Sequence, residues 1–172
     1  VSWLPFQLNP DLPASGIARA DYLTRKFGSP DNSRYQRVAE VGLTVGIHFS
    51  FNRIQMQPNT FNAHRLIHFA ATRHLQDAVV ERIFHAYFIQ GLNLCDEALL
   101  IQCAVDVGIK SAAVIAYLQS DADKELISAS EHDARQLGIQ GVPFFIINRR
   151  VGISGAQEPA AILQAMEQML EA

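Results

Sequence analysis

Two cysteines and six histidines are the side chains that could carry redox or metal chemistry in this 172-residue chain. A dithiol active site needs Cys-x-x-Cys at a helix N-terminus, where the helix dipole lowers the pKa of the attacking thiol. Cys95 and Cys103 instead flank a helix that Asp96 should cap. Eight helical residues rise about 12 Å, whereas the Cα atoms of a disulfide lie within about 7 Å of each other. The two cannot pair, and both read as small apolar side chains of a reduced protein. His64 and His68 share a helix face, as in a zinc helix, but His-Arg-Leu-Ile-His lacks the glutamate of the metalloprotease motif and no third ligand follows. His48, His74, His85 and His132 are scattered, and Glu81 with His85 reads as a surface i,i+4 pair. No metal site is expected.

The chemistry therefore has to come from backbone geometry, and one stretch stands out. Gly138-Ile139-Gln140-Gly141-Val142-Pro143-Phe144-Phe145-Ile146-Ile147 ends a helix at Gly138 and then runs apolar, without charge, to Arg149. Proline cannot donate to a ladder, so Pro143 should open a strand, with Gly141 allowing a tight approach. On base rates alone the Val142–Pro143 bond would be trans. Ser154-Gly155-Ala156-Gln157 precedes the final helix, where free backbone N–H groups attract carboxylates; a plain cap and turn is the competing reading.

The elements that must position this stretch follow from periodicity and breakers. Residues 1–8 mix β-formers with Pro5 and read as an edge strand, ended by Asn9-Pro10-Asp11-Leu12-Pro13. Helices are expected over about 19–27, 30–45, 76–90, 96–107, 111–118 and 121–137, with a further one capped by Asn59 or Thr60 and carrying Leu66, Ile67, Phe69 and Ala70, and a short extended piece at 47–51. A hairpin of 144–147 with 151–154 and a helix over 159–170 complete the chain. Strand, many helices, hairpin and helix is an α/β order with a large helical insertion. The net charge of −3 offers no footprint for nucleic acid or anionic lipid. No apolar run reaches the roughly 18 residues of a membrane span. The chain opens on Val1 inside a segment that reads as strand, so a start further upstream is expected.

Gly-Val-Pro-Phe-Phe-Ile-Ile with the following strand and Ser154-Gly155-Ala156-Gln157 resembles the C-terminal half of DsbA-family thioredoxin-fold proteins, with the FrnE-like branch the nearest in pattern. Trp3-Leu4-Pro5-Phe6-Gln7-Leu8-Asn9-Pro10 and Asn59-Thr60-Phe61-Asn62-Ala63-His64-Arg65 carry the same resemblance. It implies a thioredoxin-like domain of residues 1–10 and 121–172, with 11–120 as an all-helical insertion. It also implies a cis Pro143 facing a Cys-x-x-Cys, with Gly141 and Val142 pairing the substrate backbone. His64 would lie near that groove, although packing or a helix-surface hydrogen bond competes with this role. In the related kappa-class glutathione transferases and hydroxychromene carboxylate isomerases, the corner matching Ser154, Gly155 and Ala156 helps hold glutathione.

The function implied is thiol–disulfide exchange with a disulfide-bearing protein, a peptide or glutathione, and no other cofactor. The alternatives are a glutathione-dependent isomerase and a redox-inactive binding module. The Cys-x-x-Cys is absent from the chain, so the resemblance expects it upstream of Val1, on a strand–helix unit of about 30 to 45 residues. The 172-residue chain alone is expected to lack thiol–disulfide activity. A cysteine pair that cannot close favours the cytoplasm, and a homodimer is compatible with the resemblance.

Overall fold

The computed structural model describes residues 1–169. In chain order it contains β1 (Ile17–Ala18), α1 (Arg19–Phe27), α2 (Gln36–Thr44), β2 (Met56–Gln57), α3 (Phe61–Ala71), α4 (Gln76–Phe84), α5 (Glu97–Val105), α6 (Ser111–Leu118), α7 (Lys124–Gln136), β3 (Phe144–Ile147), β4 (Val151–Ser154) and α8 (Pro159–Gln168). A π-helical turn, His85–Ile89, prolongs α4. This is an α/β order in which many helices lie between the N-terminal segment and the β3–β4 hairpin. The expected end of the last helix at Leu170 lies outside the described residues.

Four corrections to the sequence reading have local causes. Residues 1–8 form no strand. Their main chain is held by side chains instead: Trp3 N–H donates to Gln76 Oε1 (3.1 Å) while Gln76 Nε2 donates to the Trp3 carbonyl (3.0 Å). Further along, Gln7 N–H donates to Glu131 Oε1 (2.9 Å) and Arg135 donates to the Gln7 carbonyl. The amide and carboxylate take the place of a neighbouring strand. The helix expected from residue 30 begins only at Gln36, because Asp31 accepts from the Ser33 N–H (2.9 Å) and from the Ser29 hydroxyl (2.6 Å), and such local bonds compete with the helical ladder. The insertion is not purely helical, since β1 and β2 pair antiparallel, Ile17 with Gln57 and Ala18 with Met56. The extended piece at 47–51 is coil running into a single 3₁₀ turn, Phe51–Arg53.

The core lies where α3, α4, α5 and α6 meet, around Leu66, Val79, Ile83, Leu100, Cys103, Ala104, Val114 and Leu118. Arg65 sits in it with no exposed surface. Its guanidinium donates to the carbonyls of Tyr117, Leu118, Ser120 and Ala122 and to Asn62 Oδ1, at 2.8–3.2 Å. The end of a helix leaves its last carbonyls without intrahelical donors, and Arg65 supplies them for α6. The Tyr117 hydroxyl completes the knot, lying 3.2 Å from the Arg65 carbonyl and 2.9 Å from Asp123 Oδ2. Asp123, at φ 59°, is the residue from which α7 starts. Position 91 needs glycine for two reasons: φ is 74°, and a Cβ there would come within 2.6 Å of Arg53 Cβ.

The hairpin and α8 are built differently. β3 and β4 pair in register from Phe144↔Ser154 to Ile147↔Val151, and among the described residues this sheet has two strands. Among the described residues of β3, β4 and α8, none is fully buried. No helix is long and apolar enough to cross a membrane among the described residues.

Two stability measurements check this account. Arg65→Ala leaves buried carbonyls without donors and should cost about 3 kcal/mol or more in urea unfolding; a loss under about 1 kcal/mol, the value of a single ordinary hydrogen bond, would show that water replaces the guanidinium. Gly91→Ala should cost about 1–3 kcal/mol through strained φ and the Arg53 clash. An unchanged unfolding midpoint would contradict it.

Candidate functional site at the proline loop

The loop is aimed by α7. Ile127 and Glu131 are the buried positions of that helix, so its inner face is fixed one turn apart. After α7, Gly138 takes φ 82° and Ile139 turns inward, only 7% exposed, with its N–H on the Ala134 carbonyl at 3.1 Å. Ile139 is the anchor from which the loop projects. The Val142–Pro143 peptide bond is cis. Val142 is 49% exposed, and neither its N–H nor its C=O takes part in a backbone hydrogen bond among the described residues.

The structure brings Pro143 and the Ser154–Gly155 corner together. Gly155, at φ 80°, donates its N–H to the Pro143 carbonyl at 2.9 Å, continuing the β3–β4 ladder by one rung. Gln157 Nε2 closes the corner on the Ser154 carbonyl at 3.0 Å. Ser154, Gly155 and Ala156 precede the final helix, as expected. α8 begins at Pro159, which has no N–H, and the Gly155 amide is already engaged. Gly141, Val142 and Ala156 therefore offer the groups of this corner that an extended ligand could meet.

His64 lies elsewhere in the bonding network. It stands in the first turns of α3, its ring half-buried and hydrogen-bonded to the Phe6 main chain, and burial lowers its pKa to about 4 against that bond. No hydrogen bond joins His64 to residues 141–156. It ties α3 to the N-terminal segment. His68 Nε2 is 3.8 Å from Asp123 Oδ2. Among the described residues no three His, Cys, Asp or Glu side chains are grouped so as to hold a metal ion.

Both cysteines are free, Cys103 in the core and Cys95 half-buried, and burial pushes both thiols above their ordinary pKa. Cys95 faces a cavity of about 710 Å³ between the N-terminal segment, the start of α3, the loop before α5 and α7. The sequence reading missed this cavity and the buried carboxylate of Glu131 on its wall. The i,i+4 spacing of Ile127 and Glu131 on one face of a polar helix was the available signal; the cavity itself, made of four separated stretches, left none.

Comparison with known proteins places this geometry. The DSBA-like thioredoxin domain model matches residues 1–167. The uncharacterized protein YwbO of Bacillus subtilis (strain 168) is 27% identical over 157 residues, covering 91% of this chain and 75% of that protein. The crystal structure of the probable DsbA oxidoreductase SCO1869 from Streptomyces coelicolor superposes with a TM-score of 0.85 at 29% identity, over 95% of this chain and 72% of that one. With the match running from the side-chain-held N-terminal segment through the helical layer to the proline loop and α8, the chain belongs to the DSBA-like thioredoxin domain family.

Proposed function

We propose that the protein is a thiol–disulfide oxidoreductase whose proline loop receives the backbone of a disulfide-bearing protein, peptide or glutathione. The observation that carries this reading is the unpaired main chain of exposed Val142 beside the cis Pro143. An extended segment lying there would exchange main-chain hydrogen bonds with Val142, as strand addition does elsewhere. Gly141 and Ala156 flank its path, and the Gly155–Pro143 bond holds the two sides at a fixed spacing. Glutathione enters this reading as a substrate, with no separate cofactor.

The reacting dithiol is not Cys95 with Cys103, which lie at the two ends of α5 region and are both free. This reading takes it from a Cys-x-x-Cys of the kind the resemblance expects ahead of Val1. In that chemistry a thiolate attacks one sulfur of the bound disulfide, a mixed disulfide forms, and the second thiolate resolves it. The free cysteines favour a reducing compartment, so the reading is completed by a cytoplasmic location. A redox-inactive binding module is the second reading; the raised pKa values of both thiols favour it for the 172-residue chain by itself.

Amide chemical-shift mapping with a disulfide-containing peptide tests the groove. Shifts should concentrate at Gly141, Val142 and Ser154 to Ala156; a response confined to α1 and α2 would sink the assignment. In an insulin-reduction assay the 172-residue chain should read background, unchanged by Cys95→Ser. Turnover abolished by that substitution would place the chemistry at Cys95 instead.

His64 supplies a pH test of the N-terminal segment it holds. Its pKa is depressed to about 4 from an ordinary 6.5, so its contribution to stability is full above pH 6.5 and is lost as the pH falls towards 4. Stability measured across that window should fall with acid by up to about one proton's worth of slope, and His64→Gln should remove that slope. A His64 titration near 6.5, followed by its ring resonances, would contradict the burial argument.

A further inference from the structure

A buried arginine keeps its charge and needs acceptors for its donors. Arg65 has them, and Arg19 does not. Arg19 is the first residue of α1 and is only 7% exposed. Its Nη1 donates to Gln57 Oε1 on β2, while its Nε is buried without a partner. The ion pairs among the described residues are His68–Asp123, Arg82–Asp106 and Lys124–Asp121, so no carboxylate balances Arg19. Asp31, in the loop after α1, is taken up by Ser29 and Ser33 and feels the charge of Arg34. Burial pushes the Tyr87 phenol up to about 12 against the pull of Arg19, so it stays neutral and supplies no counter-charge.

The surroundings of the guanidinium supply donors, not acceptors. Arg19, Tyr22 and Lys26 recur at i, i+3 and i+7 and share one face of α1. Arg19 lies over the Tyr22 ring, 5.6 Å from its centroid, and over the Tyr35 ring at 4.9 Å. Lys26 stands over the same Tyr22 ring at 5.2 Å and donates to its hydroxyl at 2.8 Å. That hydroxyl, having accepted, keeps its own proton to donate. Contact with the two rings offsets part of the cost of burying the charge but gives the Nε–Nη2 edge no acceptor. This edge is a planar fork that matches two oxygens of one anion. Gln57 fixes its direction from the other side.

Two cations over one ring, with no acid between them, match a head group that carries two negative charges. A carboxylate carries one, whereas a phosphate monoester carries close to two at neutral pH and offers three acceptor oxygens. We propose that Arg19, Lys26, Tyr22 and Tyr35 form a binding site for a phosphate monoester. Arg19 takes two oxygens with Nε and Nη2, Lys26 and the Tyr22 hydroxyl close on the third, and the Tyr35 ring covers the guanidinium. The site belongs to the corner of α1 and β2 and uses no residue of the proline loop.

The experiment titrates the full 172-residue chain with inorganic phosphate and then with phenyl phosphate at constant ionic strength. It follows the Arg19 Nε–H resonance by heteronuclear NMR, identified by its disappearance in Arg19→Lys, together with thermal unfolding. The Nε–H and the amides of α1 should shift and saturate, and the unfolding midpoint should rise with ligand. Lys26→Gln, at an exposed position, should weaken phenyl phosphate about fivefold, the value of one exposed ion pair. Arg19→Lys keeps the charge but loses the fork, and should weaken it roughly tenfold. Benzoate, with the same ring and a single charge, should bind more weakly. The titration of the unmutated chain and the Lys26→Gln comparison stand whether or not Arg19→Lys folds. An Arg19 Nε–H that no anion moves would show that Arg19 only seals the tyrosines and would overturn the proposal. So would an unchanged affinity in Lys26→Gln, or benzoate binding as tightly as phenyl phosphate.

Discussion

The buried guanidinium of Arg65 is the interaction on which the rest of the molecule depends. A charge removed from water is costly unless every donor is used, and here the donors are matched to carbonyls that the end of α6 would otherwise leave bare. The same knot fixes Asp123 through Tyr117. α7 starts there, runs past Glu131 to Gln136 and leads to Ile139, which aims the proline loop. An unbroken series of dependencies thus leads from one side chain in α3 to the backbone of Val142.

The N-terminal segment is a second case of side chains standing in for main chain. Gln76 meets Trp3 with a reciprocal pair of amide hydrogen bonds, the pattern that two strands would make. Glu131 and Arg135 repeat the device at Gln7 from α7, four residues apart on one helix face. Trp3 packs edge-on to Phe84 and donates its indole N–H to Asp77. The segment is extended and satisfied without belonging to a sheet.

How much of this could be read from residues alone depended on whether the cause was local. Asp96 was legible as a cap, and its side chain accepts from the Ala98 N–H at 2.9 Å. Gly138, Pro143 and the apolar run after it marked a helix end, a loop and a strand because proline and glycine act within a few residues. The edge strand at residues 1–8 was misread, since β-forming residues fix an extended shape but not the partner that pairs with it. The late start of α2 was hidden because Asp31, Ser29 and Ser33 are individually ordinary helix-start residues. The burial of Arg65 was not legible: nothing within its own helix announces the carbonyls of α6, which lie more than fifty residues later. The cavity at Cys95 was invisible for the same reason.

The contrast between a core tied by Arg65 and a hairpin with α8 that has no fully buried described residue divides the molecule's free energy unevenly. Regions with little buried apolar surface open locally at a fraction of the cost of global unfolding. A backbone segment that bonds the free main chain of Val142 would therefore share its binding energy with ordering this unit. Recognition and local folding are then one equilibrium here: whatever pairs with Val142 also sets how firmly the proline loop is held.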